Sequence, residues 1–111
     1  MVGSPKYKEE MKLNVKECAG QWIGAISGRL DTAAAAEFAR EMQPLIDHAD
    51  QPVVLDCSEL EFISSSGLRL FLTLRKESIA KGGSVTVKGL NKEVKQVFAL
   101  TGFLNLFTIE D

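Results

Sequence analysis

The chain has 111 residues, 45% of them hydrophobic and 25% charged, the composition of one globular domain with one core, which excludes a disordered, collagen-like or two-domain protein. Its 13 Lys and Arg against 15 Asp and Glu leave a net charge of -2, and with no basic block this argues against nucleic acid as a partner. Cys18 and Cys57 form neither a Cys-x-x-Cys pair nor a ligand set with histidines, so no disulfide framework, metal site or cofactor is expected and a reducing cytoplasm fits best.

Residues 1–8 read as a flexible leader and residues 9–111 as the domain; no apolar run approaches the ~20 residues of a membrane span, and no secretory signal is visible. Met11, Leu13 and Val15 alternate with Lys12, Asn14 and Lys16, the period of a strand with one buried face. Ala19 and Gly20 supply a turn, and residues 22–27 return as a second strand closed by Gly28. Asp31 caps a helix that begins at Thr32, with Ala34, Phe38, Met42, Leu45 and Ala49 as its apolar face. An interior proline costs about 3 kcal/mol, so Pro44 predicts a kink or two shorter helices.

Val53-Val54-Leu55 is an uninterrupted apolar run, as in a parallel strand covered on both faces. It delivers Asp56, after which a short loop is expected. Ser64-Ser65-Ser66-Gly67 then leads into a second helix that Gly82-Gly83 ends. Leu68, Phe71, Leu72 and Ile79 form its core face. Leu70 and Leu74 lie farther around the wheel, and with Arg69 and Lys76 they form a partner surface or are covered by a loop or the third helix. Val85 and Val87 belong to the next strand; Asn91 caps a third helix with a buried stripe of Val94, Val97, Phe98 and Thr101; Gly102 stops it, and residues 103–109 return to the sheet. Helices between consecutive later strands imply an α/β fold, with a mixed, mostly parallel sheet that opens on an antiparallel hairpin.

An enzyme reading lacks its parts. The single histidine, His48, falls in a polar segment expected to be solvated, and there is no Gly-x-Ser-x-Gly elbow or glycine-rich phosphate loop. Cys57 packs as a small apolar residue. The serines at the second helix start face unsatisfied backbone N–H groups and the positive end of the dipole, which favours an anion by roughly 0.3–1 kcal/mol. A serine there equally serves as a plain cap. Asp31 has the same two readings, and Asp56 either ties down the loop through backbone N–H groups or joins the site.

Residues 62–68 (Phe-Ile-Ser-Ser-Ser-Gly-Leu), preceded by Val54-Leu55-Asp56 and followed by Arg69, resemble the core motif of the STAS family of anti-sigma-factor antagonists. Gly28-Arg29-Leu30-Asp31 resembles that family's Gly-x-Leu-Asp segment, and Thr101-Gly102-Phe103 resembles the end of its penultimate helix. The resemblance covers nearly the whole chain and implies a single STAS-like domain that is not an enzyme. In that family a serine at the helix start is phosphorylated by a partner that is both an anti-sigma factor and a serine kinase. The unphosphorylated form binds this partner and frees the sigma factor, and a separate serine phosphatase recycles the modified form.

Carried onto this chain, Ser65 takes the phosphorylated place, Ser64 the place of an aspartate and Ser66 that of the second hydroxyl. Serine in place of aspartate at 64 removes a negative charge beside the phosphate and makes Ser64 the next choice for modification. The partner surface implied comprises Asp31, Asp56, Ser64, Ser66, Gly67, Leu68 and Arg69. Asp31 and Asp56 are expected at the ends of neighbouring strands beside Ser65, with Gly67 letting a partner backbone approach. STAS-like domains also occur in transport and stress-signalling complexes, so the alternative is a ligand-binding or assembly subunit of such a complex.

Overall fold

The structure is a computed structural model and describes residues 10–110; the leader expected over residues 1–8 lies outside the described residues. β1 (Lys12–Cys18) and β2 (Gln21–Leu30) pair antiparallel, from Lys12 opposite Ser27 to Cys18 opposite Gln21. The turn between them holds Ala19 at φ 55° and Gly20 at φ 80°, the left-handed pair whose twist suits a two-residue hairpin. The expected hairpin is therefore present, turning at the expected residues.

Of the two outcomes that Pro44 predicts, the structure takes two shorter helices, α1 (Ala35–Glu41) and α2 (Gln43–Asp47). Pro44 lies in the first turn of α2, where a missing N–H leaves no helical bond unmade. Phe38, Met42, Leu45 and Ala49 are all buried, as their spacing predicts. α1 starts later than Thr32 because residues 32–34 form a turn, in which the Asp31 carboxylate accepts the Ala34 N–H at 2.9 Å.

β3 (Pro52–Ile63) is the central strand, parallel to β2 on one side and to β4 (Ser84–Lys88) on the other; β5 (Thr108–Glu110) adds in parallel beside β4, giving the order β1-β2-β3-β4-β5. The loop expected after Asp56 is strand instead. Ala25 opposes Asp56 but Ser27 opposes Glu59, and Gly28 opposes Leu60 but Arg29 opposes Phe62. β3 thus carries an extra residue at each of these steps, and each bulge reverses the face taken by the residues that follow. Cys57, Leu60 and Ile63 consequently all turn inward at a spacing of three. Val53, Val54 and Leu55 are all buried, as their uninterrupted apolar run predicts, whereas on β2 buried Gly24, Ile26, Gly28 and Leu30 alternate with half-buried Ile23, Ala25, Ser27 and Arg29.

α3 (Ser65–Lys81) and α4 (Lys92–Thr101) complete the packed side. Leu68, Phe71, Leu74 and Ser78 form the buried stripe of α3, so Leu74 belongs to the core, whereas Ile79, expected there, is 60% exposed. Leu70 and Leu72 are half-buried. Phe71 gathers Phe38, Phe98 and Phe107 around it at ring-centroid distances of 5.9, 6.0 and 6.4 Å, tying α1, α4 and the approach to β5 into one core. Asn91 caps α4 by accepting the Val94 N–H at 2.7 Å, and its own amide donates to the Leu60 carbonyl at 3.1 Å. Val94 and Phe98 are buried and Val97 half-buried, but Thr101 is exposed. A 3-10 turn (Phe103–Asn105) follows Gly102 before the chain returns as β5. No helix among the described residues is long and apolar enough to cross a membrane.

Candidate functional site

The three serines differ in what their atoms already do. Ser64 precedes α3 with extended backbone, and its Oγ accepts the Gly67 N–H at 3.2 Å. Its own N–H donates to the Leu30 carbonyl, and its carbonyl accepts the Leu68 N–H, both at 2.9 Å. The N–H, the carbonyl and Oγ of Ser64 thus all take part in holding the helix start. Ser65 is the first helical residue; its side chain is exposed and its hydroxyl makes no hydrogen bond among the described residues. Ser66 is half-buried. The capping reading therefore belongs to Ser64, and Ser65 presents a free hydroxyl.

Gly67 and Leu68 face the core, not solvent. A Cβ on Gly67 would stand 2.8 Å from Leu30 Cγ and 3.0 Å from Ile63 Cγ1, and Leu68 is 3% exposed. This corrects the expectation that Gly67 admits a partner's backbone: it admits the chain's own β2 and β3, letting the first turn of α3 sit close against their ends. Arg69 is exposed, one turn beyond Ser65.

Asp31 lies where expected. Leu30 opposes Ile63 in the parallel register, so Asp31 and Ser64 leave the sheet side by side at the carboxyl ends of adjacent strands, the edge at which open α/β sheets bind ligands. A groove of about 640 Å³ opens there, lined by Met11, Arg29, Asp31, Ala34 and Glu37 among others. A second, of about 290 Å³, runs from Arg29 over Phe62 to Glu93 and Val97, with the Arg29 guanidinium 4.3 Å from the centre of the Phe62 ring. Arg29 and Phe62 fall inside the quoted motifs but outside the partner surface the resemblance implies; only the bulged register shows which way they face.

Asp56 is not at this edge. It lies within β3, opposite Ala25 and Lys88, and the rest of the strand, on the order of 20 Å of extended chain, separates it from Ser64. Its carboxylate accepts from Ser58 Oγ at 2.6 Å and from Ser58 N–H at 3.0 Å. The Ser58 hydroxyl bond holds the Asp56 carboxyl below its ordinary range against the opposing effect of partial burial, with Lys88 and Lys16 adding smaller contributions. The tie to a following backbone N–H is the reading the geometry favours. Cys57 is buried, and loss of hydration, then the neighbouring Asp56 charge, pushes its thiol up to about 12. His48 is half-buried, not solvated as expected: its ring stacks on Trp22 with centroids 4.1 Å apart.

An α/β domain that opens on an antiparallel hairpin and continues as a parallel sheet with helices packed on it has the architecture of a STAS domain. The chain belongs to the STAS domain family, whose model matches residues 12–111. It is 32% identical over 99 residues to BtrV of Bordetella bronchiseptica, named as an anti-sigma factor antagonist, covering 89% of this chain and 85% of that one. Among solved structures, an anti-sigma factor antagonist from Thermotoga maritima superposes with a TM-score of 0.81 at 20% identity, over 89% of this chain and 86% of that one. The Bacillus cell fate determinant SpoIIAA in its phosphorylated form superposes with a TM-score of 0.65 at 19% identity, over 90% of each chain.

Proposed function

We propose that this chain is a phosphorylation-switched anti-sigma-factor antagonist of the cytoplasm. With Ser65 unmodified it binds an anti-sigma factor that is also a serine kinase, and so frees the sigma factor; phosphate on Ser65 releases the partner, and a serine phosphatase resets the chain. The observation that carries this reading is the contrast between Ser65, exposed and unbonded, and Ser64, half-buried and engaged as the cap. A kinase needs a hydroxyl it can reach, and Ser65 offers one without undoing the helix start. The chain is a substrate in that step: its Oγ takes the γ-phosphoryl group of ATP as the bond to the β,γ-bridging oxygen breaks, ADP leaves, and the hydroxyl proton passes to the kinase. The name of BtrV and the phosphorylated form of SpoIIAA support the reading.

The partner surface of this proposal is the edge formed by Asp31, Ser65, Ser66 and Arg69 with the groove at Arg29. Gly67 and Leu68 support it from beneath, and Asp56 stands apart from it. A phosphate adds about -1.5 to -2 charges at an exposed position, so affinity changes while the fold persists. Incubation with the captured partner kinase and ATP, followed by mass spectrometry, should find phosphate on Ser65. Phosphate on Ser64 alone would move the switch by one residue. None on Ser64, Ser65 or Ser66, from a kinase active on another substrate, would overturn it.

A further inference from the structure

Arg69 stands four residues after Ser65 on α3, and both side chains are exposed. Residues so spaced share one helix face, with Cβ atoms roughly 5–6 Å apart. The other positions one turn from Arg69 are Ser66, Leu72 and Thr73, none of them acidic, and among the described residues its guanidinium makes no ion pair. Farther along the same helix, Lys81 has a carboxylate one turn away and pairs with it, Nζ to Glu77 Oε1 at 3.7 Å. Arg69 is a cation at the equivalent spacing from a hydroxyl.

We propose that Arg69 is the intramolecular counter-ion of a phosphate on Ser65, a role that rests on Ser65 being the modified residue. A guanidinium fork meets two phosphate oxygens at once, which suits Arg better than Lys. The unmodified chain then shows its partner a free guanidinium one turn from a hydroxyl, and the phosphorylated chain shows an ion pair. Modification withdraws a cation from the partner surface in the same step that it adds an anion. Arg69 is thus a positioning residue for the switch: it orients the phosphate along α3.

The test needs no kinase. The full chain is made with phosphoserine at position 65 by genetic-code expansion, alone and together with Arg69→Gln or Arg69→Lys, and each form is titrated by phosphorus NMR. The second ionisation of phosphoserine falls near pH 6, about. A neighbouring guanidinium favours the dianion, so the midpoint should lie about 0.3 pH units or more below that of the Arg69→Gln form. Arg69→Lys should fall between them, and 1 M salt should shrink the difference. Nitrogen–proton NMR spectra that superpose outside the start of α3 show that the variants are folded. Equal midpoints for the native and Arg69→Gln forms would overturn the pair. The titration reads no partner binding, so its failure is distinct from failure of the switch, which the mapping of the kinase product reads separately.

Discussion

The Ser64 N–H donates to the Leu30 carbonyl at 2.9 Å, so the residue that caps α3 is itself bonded to the end of β2. Its Oγ meets the Gly67 N–H at 3.2 Å, whereas Ser65 makes no such bond. Ser64→Ala should therefore cost about 0.5–2 kcal/mol of stability, as the loss of a cap does. Ser65→Ala should stay within about 0.5 kcal/mol of the native chain. Urea unfolding of the two variants checks this, and a larger loss for Ser65→Ala than for Ser64→Ala would assign the cap to Ser65.

Gly67 supports the site by being small. A methyl group there would stand 2.8 Å from Leu30 Cγ and 3.0 Å from Ile63 Cγ1, so overpacking should cost about 1–3 kcal/mol, outweighing the roughly 1 kcal/mol that alanine gains over glycine in a helix. Gly67→Ala is thus expected to lower the unfolding midpoint. Combined with Leu30→Val, which removes part of the obstructing side chain, it should cost less than the sum of the single changes. Strict additivity would show that the two residues do not compete for space.

The sheet's hairpin, the α1/α2 break and the helix starts at Ser64 and Asn91 were legible in the sequence, because a buried face leaves a period and a cap leaves a residue type. The second half of β3 was not. Its two bulges set Cys57, Leu60 and Ile63 three apart, and the polar residues between them then resemble a loop. The misplacement of Asp56 follows from that single error, since a strand ending at Asp56 would have set it beside Asp31. The positions of Ser65 at a helix start and of Asp31 at the end of β2 were legible from the capping residues and the apolar runs beside them; their roles in a site are what the family resemblance implies. The inward direction of Gly67 and the lining of the groove by Arg29 and Phe62 depend on tertiary register, which local pattern does not carry.

The Asp56–Ser58 contact carries a pH signature. Because the Asp56 carboxyl is lowered in the folded chain by its bonds to Ser58, it contributes stability that is present above the ordinary value of 3.8 and is lost as pH falls through the lower folded value. Asp56→Asn should be less stable than the native chain at pH 7, with the difference shrinking on acidification. Ser58→Ala should raise the Asp56 titration midpoint toward 3.8 by carbon-detected NMR, and an unchanged midpoint would remove Ser58 as the principal cause. Kinase-dependent release should be unaffected by Ser58→Ala, because this contact lies within β3 and not at the Ser65 edge.

The central claim is that the Ser65 hydroxyl controls affinity for an anti-sigma factor while contributing little to the fold. Titration calorimetry of the native chain, Ser65→Ala and Ser65→Asp against that partner measures it directly. Ser65→Ala should bind within about twofold of the native chain, and Ser65→Asp, still folded by circular dichroism, should bind at least tenfold more weakly, about 1.4 kcal/mol. Equal affinity of Ser65→Asp and the native chain would contradict the account.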